Sequence, residues 1–190
     1  MLPLSPRPGD AGQTQLGGDV RVWKDSPVLE VLGTLDELTA HLGLARSLGL
    51  PATMDRLAGR LQEELFQIGA ELAVSAATPK PPSITAEHLL ALEGQIAQWE
   101  AGLPPVQNFI LPAGTPAACQ LHVARAVCRR AERRLTSLVR QSPPGAVSPL
   151  VQAYLNRLAG LLFVLARAVN LQAGCKESTW GNPLPSASTM

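Results

Sequence analysis

PAACQLHVARAVCRRAERRLTSLVRQ, residues 116–141, is the stretch that decides the fold. Leu121, Ala124, Cys128, Ala131 and Leu135 recur at three- and four-residue intervals, the spacing that lines one face of an α-helix. A helix of this length reaches nearly 40 Å, at about 1.5 Å per residue. Beside the apolar stripe, Arg125, Arg129 and Glu132 project within an arc of about 60°. Arg130 and Arg134 point well away and read as a solvated outer face, with Arg133 between the two groups. The planar guanidinium fork suits carboxylates and phosphates bidentately, so Arg beside an apolar stripe is the more informative set.

Outward from this helix the same period continues. Residues 148–174 form a further helical stretch after a turn at 142–145. Residues 28–48 are helical and stopped by Gly49 and Pro51, and 52–76 are helical and ended by the TPKPP run at 78–82. Residues 85–101 make another helix, with Ser83 or Thr85 as its cap and the Gly102-Leu103-Pro104-Pro105 run as its stop. Residues 103–112 are an apolar, Pro-bounded connector. No β-rich alternating run interrupts these segments. The expectation is all-α: a five-helix bundle spanning residues 27–177, preceded by a Gly-rich N-terminal loop (1–26) without regular elements and followed by a flexible tail (178–190).

Composition agrees with a single packed domain. The chain has 190 residues, 46% hydrophobic, 4% aromatic and 16% charged, with a formal net charge of +1. That hydrophobic fraction excludes a mostly disordered chain, and the balanced charge argues against coating nucleic acid through bulk electrostatics. Thirteen of the sixteen basic residues are Arg, five of them between Arg125 and Arg134, so the chain is neutral overall and locally basic. The start lacks a basic segment followed by an apolar one, and no run of about eighteen uninterrupted apolar residues exists. Cys119, Cys128 and Cys175 lack metal-type spacing and read as reduced thiols in a cytoplasmic protein. His41, His88 and His122 are scattered, so no protein-held metal is expected.

Some polar residues stand out. Asp36 falls on a stripe with Leu29, Leu32, Ala40 and Gly43, which reads either as an exposed carboxylate at the stripe's edge or as one buried against an Arg from another helix. The loop from Gly9 to Asp25 carries Gly9, Asp10, Gly12, Thr14, Gly17, Gly18 and Lys24. Its glycines let backbone N–H groups approach an anion, while Thr14 and Lys24 add a hydroxyl and a charge. No GK[ST] is present, so it is not a Walker A loop. Asn156 shares a face with Gly160, Phe163 and Arg167. Phe109, in the connector, reads either as a staple to the core or as a site residue.

GTLDEL (33–38), LFQIGAELA (65–73), FILPAGTPAA (109–118), LHVARAVCRRAERR (121–134) and YLNRLAGLLFVLAR (154–167), in this order after a glycine loop and Lys24-Asp25, resemble the PduO-type ATP:cob(I)alamin (corrinoid) adenosyltransferases. The resemblance implies a homotrimer with active sites at subunit interfaces. It implies that the glycine loop and Lys24 wrap the triphosphate of ATP, that Arg125 pairs with Asp36 and contacts the nucleotide, and that Arg129, Glu132 and Asn156 complete the site. Mg²⁺ would bridge phosphates, and Phe109 would lie at the lower face of cobalamin, keeping cobalt four-coordinate. Attack by Co(I) on the 5′ carbon of ATP would yield adenosylcobalamin and triphosphate. An electron donor and an adenosylcobalamin-dependent acceptor enzyme are the further partners implied. The chain departs from the family pattern at Pro6-Arg7-Pro8, where Thr residues are common, and at Gly160, where an acidic residue is usual.

The residues fit such a reaction. Co(I) is itself a strong nucleophile, so no Ser–His or Cys–His pair is required. What remains is to position two large reactants and stabilise a triphosphate leaving group. The competing readings are a helical bundle that binds or delivers ATP or adenosylcobalamin without turnover, and a nucleic-acid binder using residues 125–134. The second lacks aromatic stacking residues beside the Arg cluster.

Overall fold

Proline and small polar caps set where the helices start. The computed structural model describes residues 7–17, 20–74 and 83–181. It contains α1 (Pro27–Ser47), α2 (Ala52–Ala73), α3 (Ala86–Glu100), α4 (Pro116–Gln141) and α5 (Pro149–Gln172). Helices α1, α4 and α5 each open on a proline, whose missing N–H would be unpaired in the first turn anyway. The Thr115 hydroxyl accepts from the Ala118 N–H at 3.2 Å, and that of Ser148 from the Leu150 N–H at 3.3 Å. At α3 the cap is Thr85, whose N–H donates to His88 Nδ1 at 3.1 Å. The five-helix, all-α architecture is the one expected. Helix α2 ends at Ala73, earlier than expected, and its anticipated stop at 78–82 lies outside the described residues.

The N-terminal region is not free of regular structure. Strands β1 (Gln13–Gln15) and β2 (Arg21–Trp23) form a small antiparallel hairpin with Thr14 opposite Val22. Gly12, at φ +81°, makes the turn into β1, and its carbonyl accepts the Lys24 N–H at 2.9 Å. The hairpin rests on the end of α2, where the Gly17 N–H donates to the Ala73 carbonyl at 3.1 Å. A Cβ on Gly17 would lie 2.9 Å from that oxygen, so this close approach depends on glycine.

Contacts fix the helix directions. Helices α1 and α4 are antiparallel: the Gln120 amide donates to the His41 carbonyl, Arg130 pairs with Glu37, and Arg134 reaches Glu30 and Thr34. Helices α4 and α5 are also antiparallel, joined by Cys128 Sγ to the Leu155 carbonyl at 3.3 Å and by Gln152 to Thr136. Arg157 pairs with Glu93, which sets α3 alongside α5. The Tyr154 hydroxyl donates to the buried Glu64 carboxylate of α2 at 2.5 Å, and Arg60 holds the other oxygen of that carboxylate at 3.2 Å. The central element is α5: Leu155, Leu158, Leu161, Leu162 and Ala166 are all buried. It is the one described helix long and apolar enough to cross a membrane by length and composition, and most of that stretch is buried inside the bundle. Burying each such Leu contributes about 1.5–3 kcal/mol, which outweighs the modest helix-end terms.

Of the charged residues, Asp36 takes the exposed one of its two sequence readings, and the expectation for Arg130 and Arg134 is corrected. The core stripe of α1 is Val31, Thr34, Leu35, Leu38, Leu42 and Ala45. The stripe that contains Asp36 lies on the other side, and Asp36 is exposed with no ion pair among the described residues. Within one chain α1 presents a different face to α4, so the pairing with Arg125 that the resemblance implies is not made inside a single protomer. Arg130 and Arg134, expected to be solvated, are instead the charged seam between α4 and α1. Hydrogen bonding from Arg130 holds the Glu37 carboxyl below its usual range. Arg134 donates to the Thr34 hydroxyl at 2.6 Å and pairs with Glu30 at 2.8 Å.

The tail is also partly built in. Residues 178–180 lie against the connector: the Leu111 N–H donates to the Ser178 carbonyl and the Trp180 N–H to the Phe109 carbonyl, each at 2.8 Å. Ile110 and Thr179 form an isolated antiparallel bridge between them. Residues 182–190 lie outside the described residues.

Candidate active site

The core stripe of α4 turns toward α1 and α5, which places the next arc of its surface over α5. Arg125, Arg129 and Glu132 occupy that arc. Asn156 of α5 donates from Nδ2 to Glu132 Oε1 at 3.1 Å, so two residues singled out separately in the sequence meet directly. Further along α5, the Arg125 guanidinium lies over the Phe163 ring, 5.2 Å from its centroid. Arg167 also approaches the Phe163 ring, at 5.8 Å from its centroid, and the His122 ring meets it edge-on. Between Asn156 and Phe163, Gly160 is exposed and leaves bare helix backbone; its nearest neighbour would be Ile96 at 3.7 Å from an added Cβ.

Charge at this face is unbalanced. Arg125 is half-buried, and burial followed by repulsion from Arg129 pushes its guanidinium pKa below the usual value. Neither Arg125 nor Arg129 has a carboxylate partner among the described residues, whereas Arg130 and Arg134 both do. Two adjacent unpaired cations beside an amide–carboxylate pair form a receptor for a polyanion with a hydrogen-bonding head. His122, buried beneath Arg125, is pushed below its ordinary pKa by burial first and by Arg125 second, with Glu177 opposing.

Arg125, Arg129, Glu132 and Asn156 are thus brought together. The glycine loop packs away from this cluster, near the C-terminal ends of α2 and α4, where Leu16 and Gly17 line a cavity with Leu72, Leu138 and Ser142. Within the loop, Lys24 Nζ would lie 3.3 Å from a Cβ added to Gly9, so the ammonium sits directly over that backbone. Asp10 accepts the Arg7 N–H at 2.7 Å and closes a turn, and Arg21 holds the Pro8 carbonyl at 2.8 Å. Thr14 is a ladder residue of β1, Gly12 is the turn, and Gly17 is the contact with α2; Gly18 lies outside the described residues. The anion-binding expectation for this loop retains Lys24 and Gly9 as its best-placed members.

Phe109 does not staple α4 to the core. It is 79% exposed and meets the Trp180 ring edge-on, with centroids 6.5 Å apart. Sequence reasoning missed Trp180 because it falls in a stretch read as tail. It also missed the Arg167–Glu177 pair that anchors this segment, at 2.8 Å with Arg167 3% exposed. The available signal was a tryptophan in a chain with only three of them. Among the described residues, no three His, Cys, Asp or Glu side chains cluster to cage a metal ion.

Comparison with known proteins agrees with this geometry. Residues 4–169 match the sequence profile described as cobalamin adenosyltransferase. A cobalamin adenosyltransferase of Cupriavidus metallidurans is 39% identical over 181 residues, covering 93% of each chain. A corrinoid adenosyltransferase of Mycobacterium tuberculosis is 41% identical over 168 residues, covering 86% of each. A variant of the PduO-type ATP:corrinoid adenosyltransferase of Lactobacillus reuteri, solved with cobalamin and ATP, superposes with a TM-score of 0.86 at 30% identity, covering 92% of this chain and 97% of that one. With the unpaired Arg125 and Arg129 beside Glu132 and Asn156 on such a bundle, the chain belongs to the cobalamin adenosyltransferase family, in its PduO-type branch.

Proposed function

We propose that this transferase moves the 5′-deoxyadenosyl group of ATP to the cobalt of a Co(I) corrinoid, and that Arg125, Arg129, Glu132 and Asn156 hold the nucleotide. The carrying observation is the pair of unpartnered guanidiniums next to the Glu132–Asn156 contact. In the reaction a Co–C bond forms at the 5′ carbon, the C–O bond to the phosphate chain breaks, and its electron pair leaves with triphosphate. The substrate cobalt supplies the nucleophile. The protein's task is to orient that carbon and stabilise charge on the leaving oxygen, which fixed cations do without reorganisation. Glu132, anchored by Asn156, is oriented to accept from the hydroxyls or amino group of the nucleoside.

We propose further that a magnesium ion arrives on the nucleotide and keeps several of its waters. Bound there, Mg²⁺ would neutralise phosphate charge. We also propose a homotrimer. Asp36 is exposed and unpaired, Arg125 is unpaired, and the glycine loop is remote from Arg125 within one protomer. Assembly that sets Asp36 of one copy against Arg125 of the next, with Lys24 and Gly9 closing over the phosphates, satisfies all three. The three free thiols, Cys119, Cys128 and Cys175, support a cytoplasmic setting, where an electron donor must supply Co(I) and an acceptor enzyme take the product. The test is an anaerobic incubation of cob(I)alamin with ATP labelled at the 5′ carbon. The label should appear in a light-sensitive Co–C product. Binding of both ligands with no labelled product would favour a carrier protein instead.

A further inference from the structure

Helices α2 and α3 face each other across a cleft that the Arg125–Arg129 face does not use. On α2, Thr53, Arg56, Leu57 and Arg60 stand at three- and four-residue intervals, and on α3 so do Gln95, Gln98 and Trp99; together they line a cavity of about 390 Å³. Leu57 is buried and Trp99 half-buried, which gives the lining an apolar portion. The polar portion is rich in donors. The Trp99 indole N–H donates to Gln95 Oε1 at 3.2 Å, and Gln95 Nε2 donates to Gln98 Oε1, also at 3.2 Å. This relay occupies both amide oxygens and leaves the Gln98 amide N–H groups over. Arg60 pairs through Nε with Glu64 at 3.2 Å, and Glu64 in turn accepts from the Tyr154 hydroxyl of α5, so the guanidinium is fixed in place by a buried carboxylate. Arg56 makes no ion pair or hydrogen bond among the described residues, and the neighbouring Asp55 is engaged by Arg46 at 2.8 Å. No Asp or Glu lines the cleft. With Glu64 offsetting Arg60, one guanidinium is left uncompensated.

We propose that this cleft is a second anion site, for a small phosphate ester that carries a planar ring, the class of the nucleoside monophosphates. The Arg56 and Arg60 guanidiniums, the Gln98 amide and the Thr53 hydroxyl offer donors to phosphate oxygens, and charge-assisted bonds from Arg are the strong ones among them. The Trp99 ring offers a face on which a planar group stacks. A cavity of this size takes one such molecule. None of these residues belongs to the group assigned to ATP or to the corrinoid.

The test is ¹⁹F NMR of the full chain labelled with 5-fluorotryptophan, with AMP as the probe. AMP should shift the Trp99 resonance, assigned by its loss in Trp99→Phe, along a saturable curve. Arg56→Ala, at an exposed position whose removal orphans no carboxylate, should weaken the apparent affinity roughly tenfold or more. Arg129→Ala should leave the titration unaltered, because Arg129 belongs to the other face. Adenosine, which lacks the phosphate, should give no shift at concentrations where AMP saturates. A Trp99 resonance indifferent to millimolar AMP overturns the site. So does a response of equal affinity in Arg56→Ala, or adenosine matching AMP, which would remove the anion from the recognition. Loss of the Trp99 response in Arg129→Ala would put the bound nucleotide on the Arg125–Arg129 face and overturn it as well.

Discussion

Arg129→Ala and Arg130→Ala differ by one position and should behave oppositely. Arg129 is exposed and has no carboxylate partner among the described residues, so its removal leaves no orphaned charge in the protein. If it holds a phosphate oxygen as the leaving group develops charge, the variant loses a charge-assisted hydrogen bond of about 1.5–3 kcal/mol. That corresponds to a fall in kcat/KM for ATP of roughly 10- to 150-fold. Arg130 instead pairs with Glu37 at a half-exposed seam. Exposed pairs contribute about 0–1 kcal/mol, so Arg130→Ala should lower the melting temperature slightly and leave turnover within a factor of about three. The assay is anaerobic conversion of cob(I)alamin at saturating corrinoid and varied ATP, alongside thermal melts of each variant. Arg129→Ala at wild-type kcat/KM, or Arg130→Ala falling as far as Arg129→Ala, would refute the division of the cluster by its partners.

Other perturbations probe the frame around the site. Gly114 sits at φ +118°, and a Cβ there would lie 2.1 Å from Asn170 Oδ1, the group that accepts the Thr115 N–H at 3.0 Å. Gly114→Ala should therefore cost about 3 kcal/mol or more in urea unfolding, and an unchanged midpoint contradicts that placement. If Asp36 lies at the proposed trimer interface, Asp36→Ala should reduce both the assembly mass by light scattering and turnover; wild-type mass and rate together would remove Asp36 from that role. His122 has a folded pKa below the ordinary 6.5, so below about 6.5 the unfolded chain binds more protons and stability falls as pH drops toward the folded value. Thermal melts from pH 7.5 to 5 should decline more steeply for the wild type than for His122→Phe, and parallel declines would show that burial of His122 is not what titrates.

The sequence made the helices legible because each carries its own punctuation. Pro116, Pro149 and Pro27 begin them, Gly49 and Gly174 follow two of them, and the stripe from Leu121 to Leu135 keeps strict helical period. Arg125, Arg129, Glu132 and Asn156 were legible as a group, since one helix face plus family resemblance brings them together. Asp36 misled for a physical reason. Helix α1 is apolar on several sides, with Leu29, Leu32, Leu35, Leu38 and Leu42 spread around it, so period alone could not say which stripe is core. The pairing of Arg130 and Arg134 with Glu37 and Glu30 depends on the antiparallel register of α1 and α4, residues about a hundred positions apart, and no local pattern encodes it. The same holds for Arg167, which donates to Glu177 and to the Pro104 carbonyl. That clamp is a tertiary arrangement, and without it the Trp180 segment reads as a tail.

The central claim is that fixed cations on α4 assist departure of an intact triphosphate as carbon is transferred to cobalt. Its most direct measurement is the phosphate product formed per adenosylcobalamin under anaerobic reduction, with the wild-type protein in its native assembly. One triphosphate should be released for each light-sensitive Co–C product. Release of diphosphate or free phosphate in its place, or no product from fully reduced cobalamin, would contradict it.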